Sequence, residues 1–152
     1  MSAACEVWFY HLERATLAQV LPELLEKTLA RGWRALVRAS DRERVESLDS
    51  WLWAYREDSF LAHGLDSEAL AERQPILLTT SEDNPNEAKA LFLIDNAAAP
   101  DVSKFERCIV IFDGRDERAL SAARKRWTDF KALGHPVAYW KQGEMRGWER
   151  HA

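Results

Sequence analysis

Arg107-Cys108-Ile109-Val110-Ile111-Phe112-Asp113-Gly114 is the stretch that decides the fold. It is a continuous apolar, β-branched run, as expected of a strand buried on both faces at the centre of a parallel sheet. Working outward, residues 116–133 carry a helical pattern that Gly134 closes, and 136–141 (PVAYWK) read as another strand. Upstream, strand-like runs occur at 5–12, 33–39, 76–79 and 90–94. Leu17, Val20, Leu21, Leu24, Leu25 and Leu29 recur at helical spacing between the first two, with Thr16 as N-cap and Gly32 as stop. Pro22 lies inside that pattern, so the helix either starts near it or bends there. A second helix follows Ser40 or Asp41 and runs to about Ala54, and a short one is expected at 67–72. Strands alternating with helices predict a single Rossmann-like α/β domain, its mostly parallel sheet covered by helices on both faces. The domain spans 1–141, and 142–152 form a polar C-terminal tail that is expected to fray.

The composition agrees with one globular domain. The chain has 152 residues, 47% hydrophobic and 30% charged, with only 6 glycines and 5 prolines. No apolar run is long enough for a membrane span, and the start has no basic region ahead of its apolar stretch, so neither a membrane nor a signal peptide is expected. Cys5 and Cys108 sit in apolar runs, which suits buried thiols in a reducing cytoplasm. A net charge of −4 opposes wholesale coating of nucleic acid.

Rossmann-like layering invites a nucleotide, but the glycines at 32, 64, 114, 134, 143 and 147 make neither a G-x-G-x-x-G nor a phosphate-cradling G-x-x-x-x-G-K-[ST] loop. The four histidines share no metal-ligand spacing, and there is no C-x-x-C or G-x-S-x-G. Neither a metal nor a cofactor is expected. Asp113-Gly114 stands where an α/β enzyme would keep a catalytic acid, and equally where a turn into the next helix favours Asp. A small nucleotide- or ligand-binding enzyme sited there is the alternative reading.

Binding features are more pronounced. Residues 118–131 hold Arg118, Arg124, Lys125, Arg126 and Lys131 against Asp129, a net of +4, which leaves −8 on the rest of the chain. Leu120, Ala123, Trp127 and Phe130 form a core-facing stripe, and Arg124 lies one turn before Trp127 and Thr128. An arginine fork beside an aromatic wall suits a ligand with a carboxylate and an apolar side chain, and the same pattern equally fits a solvated basic face over a packed tryptophan, with cations near the helix end complementing its dipole. Trp51-Leu52-Trp53-Ala54-Tyr55, followed by Ser59-Phe60-Leu61, supplies more large apolar residues than one helix end can bury, as at a partner surface or in a long loop folded back over its own small hydrophobic cluster.

Together these residues resemble the chi subunit of bacterial DNA polymerase III holoenzyme, over roughly residues 5 to 141. The resemblance rests on Phe112-Asp113-Gly114, on Ala123-Arg124-x-Arg126-Trp127-x-x-Phe130-Lys131-x-x-Gly134-His135, and on Tyr139-Trp140-Lys141. Leu52-Trp53 with Ser59-Phe60-Leu61-x-His63, and Trp8-Phe9-Tyr10, fit as well. It implies a non-enzymatic cytoplasmic adaptor that binds a psi subunit of the clamp loader and the acidic C-terminal tail of single-stranded-DNA-binding protein, meeting DNA only indirectly. By position, Arg124 would pair with the tail's terminal carboxylate and Trp127 would wall the aromatic pocket. Lys125 and Lys131 would rim it. Thr128 stands where some members carry a lysine, which implies either a weaker basic pocket or one that uses Lys125 instead. Trp53 and Phe60 would face psi.

Overall fold

A computed structural model describes residues 5–54, 63–65, 71–97, 101–142 and 148–151. The strands are β1 (Glu6–Leu12), β2 (Ala35–Arg38), β3 (His63–Leu65), β4 (Ile76–Thr79), β5 (Ala90–Leu93), β6 (Arg107–Asp113), β7 (Val137–Gln142) and β8 (Trp148–Arg150). The helices are α1 (Leu17–Ala30), α2 (Arg42–Ala54) and α3 (Glu117–Ala132), with a 3-10 turn at Ala71–Arg73. They form one sheet in the order β3-β4-β2-β5-β6-β1-β7-β8, parallel throughout except for the β7–β8 pair. The α/β layering expected from sequence is thus present.

β6 is central as its composition requires. Cys108 to Phe112 are buried, and β6 pairs with β5 on one side and β1 on the other. Alternate residues of each strand feed two cores. Tyr10, Leu12, Val37, Phe92, Ile109 and Ile111 face α1 and α2, and Val7, Phe9, Leu91, Cys108, Val110 and Phe112 face α3.

α1 begins at Leu17 and continues through Pro22, so the helix does not start near the proline. A proline has no N–H for the carbonyl four residues back. That carbonyl, Ala18 O, instead accepts from the Trp51 indole N–H at 2.6 Å, a donor supplied by α2. The N-terminus of α1 is fixed by a capping box between Thr16 and Gln19. Two elements were not expected. β3 is a three-residue edge strand, and Trp148–Arg150, within a tail expected to fray, pair with β7. The expected short helix at 67–72 lies largely outside the described residues, and only its end coincides with the 3-10 turn.

Candidate functional site

α3 is built from its cap upward. The Asp116 carboxylate accepts from the backbone N–H of Arg118 (2.9 Å) and Ala119 (3.4 Å). Ala123 and Phe130 are buried against the sheet, while Leu120 and Trp127 are partly buried at the margin. Trp127 rests on Phe9 (ring centroids 5.5 Å) and edge-on to Tyr139 (5.9 Å). Arg124, Trp127, Thr128 and Lys131, at i, i+3, i+4 and i+7, therefore share one face along this margin. Arg124, Lys125, Thr128 and Lys131 are exposed, and the Thr128 hydroxyl donates to Arg124 O at 3.2 Å.

The cations of this region divide into two sets. Arg115 pairs with Asp113 at 2.9 Å, Arg44 with Asp95 at 2.8 Å, and Lys141 with Glu13 at 3.1 Å. Arg126, counted in the basic stretch, turns inward: Nε donates to Asn96 Oδ1 at 3.0 Å and Nη2 to Ala97 O. It thereby pins the left-handed Asp95-Asn96 turn (φ 53° and 58°), and burial pulls its pKa down. Arg124, Lys125 and Lys131, by contrast, have no carboxylate partner among the described residues. Among the described residues, Arg124 and Lys131 are thus uncompensated cations on the same face as a half-buried indole, with Lys125 on the adjoining side of the helix, a surface suited to an acidic ligand with an apolar end.

Two residues of the site were not identified from sequence. Tyr139 on β7 completes the aromatic wall, and burial raises its phenol pKa while the nearby Arg124 charge opposes that rise. His11 on β1 lies behind it, with Nδ1 2.5 Å from the Tyr139 hydroxyl and the ring edge-on to Phe112. Burial, then Lys141, lowers its pKa. These residues meet only because β1 pairs with β7, placing Phe9 opposite Tyr139. In the sequence only Tyr139-Trp140-Lys141 signals this wall.

The alternative site also has a cavity. A cleft of about 570 Å³ opens at the carboxyl ends of β1, β5 and β6 beside the start of α3, with Asp113 in its wall. Its chemistry does not favour a phosphate. Asp116 and Glu117 put negative charge on the helix terminus where an anion would sit. In the first βα turn, the backbone N–H groups of Glu13, Arg14 and Ala15 all point at Gln142 Oε1 (3.0, 3.0 and 3.2 Å), so a side-chain amide fills the place a phosphate would need. Asp113 is held ionised by hydrogen bonds from the Arg115 side chain and backbone, which lower its pKa, the opposite of a general acid's requirement.

On the remaining surface, Leu52 is buried, Trp51 is engaged by Ala18, and Trp53 is 56% exposed with its ring 4.3 Å from that of His63. Phe60 lies outside the described residues.

A family model described as DNA polymerase III chi subunit, HolC, matches residues 5–138. A protein of Rickettsia prowazekii named "Probable DNA polymerase III subunit chi" is 27% identical over 114 residues, covering 68% of this chain and 67% of that protein. One of Pseudomonas aeruginosa named "DNA polymerase III subunit chi" is 28% identical over 123 residues, covering 78% and 82%.

Proposed function

Because this chain belongs to the DNA polymerase III chi subunit family, we propose that it is a non-enzymatic replication adaptor whose α3 face captures the acidic C-terminal tail of single-stranded-DNA-binding protein. The observation that carries this reading is that Arg124 and Lys131, on the Trp127 face of α3, and Lys125 beside them have no carboxylate partner among the described residues. A free C-terminus presents two carboxylate oxygens, which the Arg124 fork can bind bidentately. The terminal aromatic side chain packs on Trp127 and Tyr139, and the preceding aspartates meet Lys125 and Lys131. Thr128, spent on the Arg124 carbonyl, contributes its methyl surface rather than a charge. Few anchors in a small site give a modest affinity, on the order of micromolar. Several tails on one partner oligomer raise the effective concentration, so a weak single contact still tethers.

The same adaptor role requires a second partner. Trp53, exposed on α2, and Phe60 are proposed as the surface for a psi-type subunit that links the chain to the clamp loader in the cytoplasm.

The test is fluorescence anisotropy with a labelled acidic peptide ending in phenylalanine. Saturable binding is expected, weakened about 30-fold by Arg124→Ala, the equivalent of about 2 kcal/mol for a desolvated charge pair, and similarly by amidating the peptide's C-terminus. Equal binding of the free-acid and amidated peptides would refute a carboxylate site.

A further inference from the structure

On the sheet face opposite α3 lies a second feature that the tail site does not use. A cavity of about 270 Å³ opens between the last turns of α1 and strands β1, β5 and β6. Trp8 and Trp33 supply its aromatic walls, and Lys27, Arg31 and Arg107 its cations. The side chains form a ladder: the Arg31 guanidinium lies 4.3 Å from the Trp33 ring centroid, and that of Arg107 lies 3.7 Å from Trp8 and 5.3 Å from Trp33.

A purely structural account covers part of this. Lys27 and Arg31 close the last turn of α1, where cations complement the helix dipole. It does not cover Arg107. Its side chain is 12% exposed, its Nε is buried without a hydrogen-bond acceptor, and its only ion pair among the described residues is a 3.5 Å contact to Glu6. A buried guanidinium donor left open costs free energy unless a ligand acceptor meets it.

We propose that this cavity is a contact site for single-stranded nucleic acid. Indole and guanidinium planes are the surfaces on which unpaired bases stack, and the adjoining cations suit the phosphates on either side. The cavity is about the size of one nucleotide, so it admits an unstacked base and excludes a base pair held in a duplex. The overall charge of −4 confines such binding to this patch and keeps it weak and salt-dependent. The chain would then touch the same strand that its tail-bound partner coats, at a site separated from the tail site by the thickness of the sheet.

The test uses the full chain and a fluorescein-labelled oligothymidylate, titrated by anisotropy from 25 to 200 mM salt, with a duplex of the same length and thymidine monophosphate as competitors. Saturable binding to the single strand is expected, with the duplex at least tenfold weaker. Three phosphate-facing cations give a slope of log K on log salt of about −2 for a single strand. Lys27→Ala/Arg31→Ala, both at exposed positions, should weaken binding at least fivefold and reduce that slope by more than half. Trp33→Ala should weaken binding comparably, and both variants should retain acidic-peptide binding at α3. If Trp33→Ala fails to fold, the double variant alone decides. Three results would overturn the proposal: no binding at 25 mM salt, wild-type affinity in the double variant, or loss of binding in Arg124→Ala, which would place the strand on α3. Competition by thymidine monophosphate as strong as by the oligomer would assign the cavity to a free nucleotide and likewise overturn it.

Discussion

Gly114 cannot carry a side chain, and the reason is space rather than backbone conformation, since it is not among the glycines in the left-handed region. A Cβ there would stand 1.8 Å from His11 Nε2 and 2.2 Å from its Cδ2. Ordinary contact is about 3.5 Å, so the imidazole would have to retreat by roughly 1.7 Å. It has nowhere to go: His11 is 7% exposed, edge-on to Phe112 at 5.2 Å, and held by the Tyr139 hydroxyl. Gly114→Ala therefore loses one hydrogen bond (about 1 kcal/mol), at least one ring contact (about 0.5–1 kcal/mol), and a favoured rotamer (about 1 kcal/mol). The expected cost is about 3 kcal/mol, read from the midpoint of urea unfolding at constant m-value. His11→Ala removes the obstacle, so the same glycine substitution in that background should cost less than about 1 kcal/mol, a coupling of about 2 kcal/mol. An equal penalty in both backgrounds would show that the clash with His11 is not what excludes a side chain at 114.

Three further outcomes follow from contacts already described. Gln142→Leu should destabilise by about 2–3 kcal/mol by orphaning three N–H groups of the first βα turn, whereas Gln142→Glu, which keeps an acceptor there, should retain most of the wild-type urea midpoint. Trp51→Phe should cost about 1 kcal/mol by leaving the Ala18 carbonyl without its donor, and measurably less in a Pro22→Ala background, where the restored backbone N–H takes that carbonyl; equal costs in the two backgrounds would remove the link. For pH, the lowered pKa of His11 means that the unfolded chain binds more protons than the folded one between the folded value and 6.5. Stability should therefore fall as pH drops through that window, by up to about 1.4 kcal/mol per unit, and the difference between wild type and His11→Gln should flatten above pH 7; a difference independent of pH would contradict a buried neutral imidazole.

What could be read from sequence was what local pattern dictates. β6 and α3 are long, strongly patterned segments and stand where the residues place them. β3 and β8 are three residues each and exist only because a neighbouring strand offers its edge, which leaves no periodic trace. The path of α1 through Pro22 involves the Trp51 indole, 33 residues from the Ala18 carbonyl it satisfies. The site divides in the same way. Arg124, Trp127, Thr128 and Lys131 follow from helical spacing, but Tyr139 and His11, 128 residues apart, come together only through strand order. Side-chain direction was equally hidden: Arg126 looks like its neighbours in sequence and yet serves the turn after β5.

The position of β1 also has a consequence for how the chain is made. Of the described strands it is synthesised first, yet both its neighbours, β6 and β7, lie about 100 residues or more further along the sequence. The β3-β4-β2-β5 half is contiguous in sequence as well as in space and can assemble while translation continues. β1 cannot take its native place against it early, because the β5 edge must be left free for β6, to which β1 pairs. Residues 6–12, with their run of aromatics, thus have no native strand partner until residues 107–113 are made. A ribosome stalled before residue 107 would leave this apolar strand unpaired and prone to aggregate.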